Sequence, residues 1–264
     1  ELLKNYEGSA EFSIVSDPSR AVEMIKGFVE KYNEVLDIIN NKLYAERDYS
    51  YEPLTEAEKE ALSDEEIEKW EKKVKTGLLA NDSLLRSLAF EMRSAITDFV
   101  ESAGLSLGAI GISSSDWTDR GKLYVNEEKL RKALTENADK VIQLFTSQSD
   151  VIYTTAATDP EAKKERRAEN GIIYRLYDVL QDYARTSTIE NRKGALLEKA
   201  GITGDRSAYN NTLTNQIREY EIKIGRMYED YYDMEDRYYA QFAVLERLIN
   251  DMNTQSAWLG RMFA

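Results

Sequence analysis

Residues 213–262 read "LTNQIREYEIKIGRMYEDYYDMEDRYYAQFAVLERLINDMNTQSAWLGRM", and the order of their apolar residues decides the fold class. Large apolar side chains recur at alternating spacings of four and three. They are Leu213, Ile217, Tyr220, Ile224, Met227, Tyr231, Met234, Tyr238, Leu245, Leu248, Met252, Leu259 and Met262, with Gln241 and Gln255 completing the series. A helix of about 50 residues would be roughly 75 Å long. Strict alternation over about seven heptads marks a coiled-coil seam rather than a globular core helix. Off the seam stand Tyr228, Tyr232, Tyr239, Phe242, Trp258 and the penultimate Phe263. Aromatic residues in this setting are either half-buried core or the contact face for a partner, because they bury area at low entropic cost. The candidate partner interface is therefore Tyr228, Tyr232, Tyr239, Phe242, Trp258, Leu259, Met262 and Phe263.

Such a stripe needs a cover. Thirteen apolar seam side chains, at roughly 2 kcal/mol each, contribute about 25 kcal/mol when buried and nothing in water. One other segment has the same period: Val22, Ile25, Val29, Tyr32, Leu36, Ile39 and Leu43 form a seam of three repeats. It is long enough to cover less than half of the longer one. The remainder is expected to pack on the Leu85–Phe99 helix, on a helix outside this chain, or on another subunit. If the seam is buried, aspartates at Tyr238 and Leu245 should melt it.

Bulk properties narrow the function classes. A net charge of -13 over 264 residues offers no basic stripe for nucleic acid and no attraction to an anionic membrane surface. The sequence contains neither cysteine nor histidine, which removes disulfides, thiolate nucleophiles and the usual zinc ligands. It also removes the commonest acid–base catalyst near neutral pH. No cofactor, metal site or catalytic group is expected. No run of 18 apolar residues is present, and residues 1–20 lack a signal-peptide pattern. The chain begins in mid-pattern at Glu1, which reads as a piece of a longer protein.

Along the chain, residues 8–16 alternate like the last strand of an upstream domain. Asp17 and Pro18 read as N-cap and first helical residue of the next helix. Residues 44–74 change character: Pro53 breaks the chain, and Thr55 and Ser63 cap two short solvated helices anchored by Leu54, Leu62, Ile67 and Trp70. The acids there lack calcium-loop spacing and read as a solvated face. Gly77 ends this section, and Asp82 starts a helix with its stripe on Leu85, Leu88, Met92, Ala95 or Ile96, and Phe99. The glycine-rich residues 103–126 match neither phosphate-loop pattern and read as a hairpin or bulged loop, with a short β pattern at Lys122–Val125. Residues 127–145 predict a helical pair turning at Thr135–Asn137; the polar residues 146–170 predict a mobile loop or linker. Helix resumes from Gly171, and residues 185–210 read as loop with small local structure. Asn210-Asn211-Thr212 fits a glycosylation sequon, a match too short to mean much.

Four segments taken together, "DPSRAVEMIKGFVEKYNEVLDIINNKL", "YEPLTEAEKEALSDEEIEKWEKKVKTGLLANDSLLRSL", "GKLYVNEEKLRKALTENADKVIQLF" and "RYYAQFAVLERLINDMNTQSAWL", resemble in order the C-terminal region of the flagellar filament cap family, hook-associated protein 2. The resemblance covers nearly the whole chain; Asn126 stands where relatives often carry an acid. It implies a non-enzymatic, extracellular assembly protein at the flagellum tip, exported without a cleaved signal. Such a protein forms a homo-oligomeric ring, contacts flagellin and guides its polymerisation. An export chaperone would bind roughly Asn250–Ala264. The fold implied is mainly α: an elongated helical bundle or coiled-coil leg with a short β element, preceded by the end of a β-rich head. Residues 1–17 would end that head and 18–264 form the leg, as a coiled-coil helix over 18–44, short helices, loops and a small hairpin over 45–212, and a long coiled-coil helix over 213–264. The fragment would lack the N-terminal leg helix and most of the head. The alternative is another extracellular coiled-coil protein, either of the flagellar junction or an adhesin acting in cell adhesion.

Overall fold

The computed structural model describes residues 17–114 and 117–262, so the expected strand at 8–16 and Phe263 lie outside the described residues. The chain divides into two compact units, Glu1–Leu196 and Leu197–Ala264. The architecture is mainly α.

The first unit is built on α1 (Ser19–Leu43), α4 (Ser83–Thr97), α5 (Glu127–Thr146) and α8 (Ile172–Ala184). Helix α1 starts one residue later than expected: Pro18 is the N-cap, and the Asp17 carboxylate accepts the Ser19 N–H at 3.0 Å. Its periodic face does not await a coiled-coil partner. Val22, Val29, Tyr32, Leu36, Ile39 and Leu43 are buried, and Ile25 packs partly buried beside them. The cover comes from α4 and α5, which contribute Met92, Ile96, Leu130 and Leu144 to the same core. Phe28 meets Phe145 edge to face at 5.8 Å. With about 1.5–3 kcal/mol per buried aliphatic side chain, this face alone is enough to hold α1 in place.

Polar residues of α1 position the glycine-rich segment. Asn33 donates to the Leu123 carbonyl and accepts its N–H, both at 2.9 Å. The two strands β1 (Ile112–Ser113) and β2 (Tyr124–Val125) pair antiparallel, Ile112 opposite Val125. Asn126 follows and caps α5 by accepting from the Lys129 N–H at 3.0 Å. Helix α5 is interrupted at Asn137 (φ -145°, ψ 45°), where the sequence predicted the turn.

Between α1 and α4 lies an excursion with α2 (Glu56–Glu60) and α3 (Asp64–Lys75), neither of which buries a residue. Both carry a capping box, Thr55 with Glu58 and Ser63 with Glu66, in which side chain and backbone satisfy each other's free groups. The Trp70 indole donates to the Glu52 carbonyl at 2.8 Å and its ring meets Tyr51 edge-on. Gly77 takes φ +77° and a Cβ there would meet the Arg47 backbone at 2.7 Å, so only glycine serves. At the base, the Asn81 N–H donates to the Leu43 carbonyl at 3.0 Å.

The polar stretch 146–170 is a correction. Instead of a linker it forms α6 (Tyr153–Ala156) and α7 (Pro160–Glu169). Asp159 caps α7 by accepting from the Glu161 and Ala162 N–H groups, and Pro160 follows in the first turn. Arg166 pins the segment: only 5% exposed, it donates two hydrogen bonds to Asp178 at 2.7 and 2.9 Å and another to the Val151 carbonyl. Asn170, fully buried, accepts from the Ser149 N–H and donates to Asp178. Paired and hydrogen-bonded, the guanidinium tolerates burial. A short helix α9 (Ala195–Ala200) spans the division between units.

The second unit is dominated by α10 (Thr212–Met262), 51 residues long. Buried Asn211 secures its start: the amide donates to the Ser207 and Ala208 carbonyls while its oxygen accepts the Thr214 N–H at 2.9 Å. No described residue of α10 is buried.

Candidate interaction surface

The exposed side chains of α10 form the candidate site. Ile217, Tyr220, Ile224, Met227, Tyr231, Met234, Tyr238, Leu245, Leu248 and Met252 are all open to solvent, from 46% at Met234 to 68% at Met252. A contiguous apolar stripe of this length far exceeds the few hundred Å² that a monomeric soluble surface normally shows. The candidate partner-interface residues Tyr228, Tyr232, Tyr239, Phe242, Trp258, Leu259 and Met262 are equally exposed.

Seam and off-seam residues are not separate surfaces. Tyr231, Met234, Tyr238, Tyr239 and Phe242 line one shallow apolar hollow on the helix. Ile224, Met227, Tyr228 and Tyr231 line a second. Tyr231 and Tyr232 stand edge to face at 5.8 Å. The tyrosines thus widen the stripe into a surface with phenolic hydroxyls at its margin, suited to apolar contact with hydrogen bonding at the edge.

The other half of the predicted seam behaves differently. Val22, Val29, Tyr32, Leu36 and Ile39 are core of the first unit, with Ile25 partly buried, and offer no free face. Burial pushes the Tyr32 phenol up to about 12, and its hydroxyl has no hydrogen-bond partner.

Sequence reasoning missed one surface of the first unit. Gln148, Ser149, Ile152, Tyr153, Tyr174 and Tyr177 line a hollow whose floor includes Arg166. The Tyr153 hydroxyl donates to Asp182 at 2.7 Å and accepts from Arg185 at 2.7 Å. Burial, with that bond to Asp182, pushes its titration well above the usual range, so the hydroxyl stays protonated. Nearby, Asp98 is held below the ordinary carboxylate value: burial opposes ionisation, but hydrogen bonds from Arg167 and Ser94 outweigh it. The signal in the sequence was Asp159-Pro160, a helix start inside a polar run.

Among the described residues, no group of three or more histidine, cysteine, aspartate or glutamate side chains is placed to hold a metal ion. No helix among them is long and apolar enough to cross a membrane.

A compact helical unit and a 51-residue helix with an open apolar face define a mainly α protein with a large exposed apolar surface. Residues 1–254 match the family described as the flagellar hook-associated protein 2 C-terminus, and the chain belongs to that family. It is 31% identical to flagellar hook-associated protein 2 of Halalkalibacterium halodurans over 97% of this chain and 48% of that protein. It is 26% identical to the protein of the same name from Thermotoga maritima, over 93% of this chain and 34% of the other. The chain therefore spans about half the length, or less, of these curated relatives. It is also similar to the crystal structure of the flagellar cap protein FliD D1-D2-D3 domains from Escherichia coli, with 23% identity and a TM-score of 0.40. That likeness covers 66% of this chain and 36% of the other, and is too loose to carry residues across.

Proposed function

We propose that this chain is the helical C-terminal part of a protein that caps the distal end of the bacterial flagellar filament and guides flagellin polymerisation. The work is done by binding rather than catalysis, through contacts of the protein with itself and with flagellin. The observation that carries this reading is the open stripe of α10 in a chain of the hook-associated protein 2 family. Burying that stripe against other helices is the large favourable free-energy term available to the second unit. In the assembled state Ile217 to Met252 form a coiled-coil seam, and the last residues, roughly 250–264, are the segment that an export chaperone covers before secretion. The working location is outside the cell, at the filament tip.

The test is a strain lacking the full-length gene, complemented with the intact gene or with one carrying Tyr238→Asp and Leu245→Asp. The intact gene restores full-length filaments. The double variant releases flagellin into the medium and leaves short filaments, because a charge at each position opposes burial of the stripe. Normal filaments in the deletion strain would sink the cap reading. Such filaments together with lost surface attachment would favour the adhesin.

A further inference from the structure

The hollow on the first unit is lined by two separate stretches of chain. Gln148, Asp150, Ile152 and Tyr153, around the start of α6, enclose about 540 Å³ together with Tyr174 and Tyr177 of α8, and Arg166 of α7 closes the floor. That volume lies within the range of small-molecule sites, roughly 300–1,000 Å³. The charges in the wall are compensated internally. Asp178 and the Val151 carbonyl hold the Arg166 guanidinium. The Tyr153 hydroxyl lies between Asp182 and Arg185, and Asp182 also accepts from Lys163 at 2.6 Å. The Ser149 hydroxyl donates to Glu169 and accepts the Val151 N–H.

What remains free is of another kind. The side chains of Gln148 and Asp150 and the hydroxyls of Tyr174 and Tyr177 make no hydrogen bond or ion pair among the described residues. The Tyr177 ring is 48% exposed and stands at 76° to the Tyr153 ring, their centroids 6.5 Å apart, as an open aromatic wall. Such a wall with free donors and acceptors beside it suits a molecule with an apolar C–H face and a rim of hydroxyl groups, which is a pyranose sugar. The C–H face covers an aromatic ring, a carboxylate accepts from two neighbouring hydroxyls, and a glutamine amide both donates and accepts. Charged ligands fit less well. Arg185 stands over the Tyr153 ring at 5.7 Å, so a ligand cation meets a like charge there. Asp150, a carboxylate without a partner, repels an anion. Peptides are taken up along a free strand edge or in an apolar groove; this hollow is bordered by α6, α7 and α8 and its lining is largely polar.

We propose that this hollow is a binding site for a neutral pyranose sugar, with the Tyr177 ring as its stacking platform and Asp150 and Gln148 as its hydroxyl-binding groups. A sugar held there touches both the 147–170 segment and α8. It therefore clamps a segment that contributes no described side chain to the apolar core of the first unit. The site lies wholly within that unit and stands whether or not the chain caps filaments.

Lactose, maltose and N,N′-diacetylchitobiose serve as neutral probes, digalacturonate as the anionic probe and deacetylated chitobiose as the cationic one. Each is titrated into the whole chain and followed by saturation-transfer NMR. At least one neutral disaccharide is expected to bind with a millimolar Kd or tighter, and at least about five-fold more tightly than either charged probe. Tyr177→Ala and Asp150→Ala should each weaken it at least about five-fold with helix content unchanged, while Tyr49→Ala, which removes an exposed ring outside the hollow, should not. Amide hydrogen exchange within 147–170 should slow about ten-fold when the sugar stands at about ten times its Kd, because only the closed segment binds it. No binding by any neutral probe, charged probes bound as tightly, binding unchanged in both hollow variants, or exchange unaltered at saturation overturns the proposal.

Discussion

Helices α1 and α10 carry the same apolar period and meet opposite fates. In α1 the stripe lies in the core, Leu36 being 1% exposed; in α10 it faces water, Leu245 being 52% exposed. The stripes are composed differently. That of α1 is mostly branched aliphatic, the type that fixes one rotamer and packs to crystal-like density. That of α10 is rich in tyrosine and methionine, adaptable side chains that tolerate both water and a partner. Period tells which face of a helix will be covered; composition says more about whether the cover is permanent.

The difference can be broken by substitution. Leu36→Ala should cost the first unit about 4 kcal/mol, a transfer loss plus a cavity between α1 and its neighbours. Leu245→Ala should change the unfolding of the same unit by less than about 0.5 kcal/mol, as an exposed substitution does. Denaturant melts of both variants check this, and equal losses would erase the distinction. The exposed position of Tyr238 and Leu245 also revises one expectation. The paired aspartate variant should keep the helix content of the isolated chain and lose association instead, which circular dichroism and sedimentation separate.

Arg166→Ala should cost about 3 kcal/mol, because it leaves the Asp178 carboxylate and the Val151 carbonyl without their partner in a largely buried setting. Proteolysis within residues 147–170 should then precede global unfolding. A smaller effect of opposite sign is expected from Tyr32→Phe. Its hydroxyl is buried without a hydrogen bond, so removing it should leave stability unchanged or raised by up to about 1 kcal/mol in a thermal melt.

The smallest effect belongs to the excursion between α1 and α4. Hydrogen bonds from the Thr55 backbone and hydroxyl hold Glu58 below its ordinary value of 4.5, and the Ser63 hydroxyl and backbone do the same for Glu66. A folded-state value below the unfolded one means a contribution present above pH 4.5 and lost as pH falls through the depressed values. Far-ultraviolet circular dichroism should show a small helical loss below that pH, weakened further by Glu58→Gln with Glu66→Gln. An acid-insensitive signal would dismiss the boxes as contributors.

Local rules were legible in the residues. Thr55, Ser63 and Asp82 cap where capping chemistry requires, Gly77 takes positive φ, and α5 breaks at Asn137. The partner of α1 was not legible, because a 3–4 spacing is satisfied equally by a coiled coil and by two short core helices. The α6–α7 segment was misread because its stability comes from Arg166, Asn170 and Asp178, polar groups on and between successive helices whose pairing leaves no periodic trace. For the candidate site, the residues of the α10 stripe were read in advance; that seam and flanking tyrosines share common hollows required coordinates.

The hydrogen bond from Asn81 to Leu43 has an architectural consequence. The chain leaves the core and returns to it at adjacent points, so the excursion between them hangs from a closed neck. Lengthening such an appendage costs only loop-closure entropy, about 0.6 kcal/mol for each doubling. The neck is therefore a port: a place where an antigenic tag, a fluorophore or a second domain can be installed, or the acidic insert removed, without a single core contact changing hands.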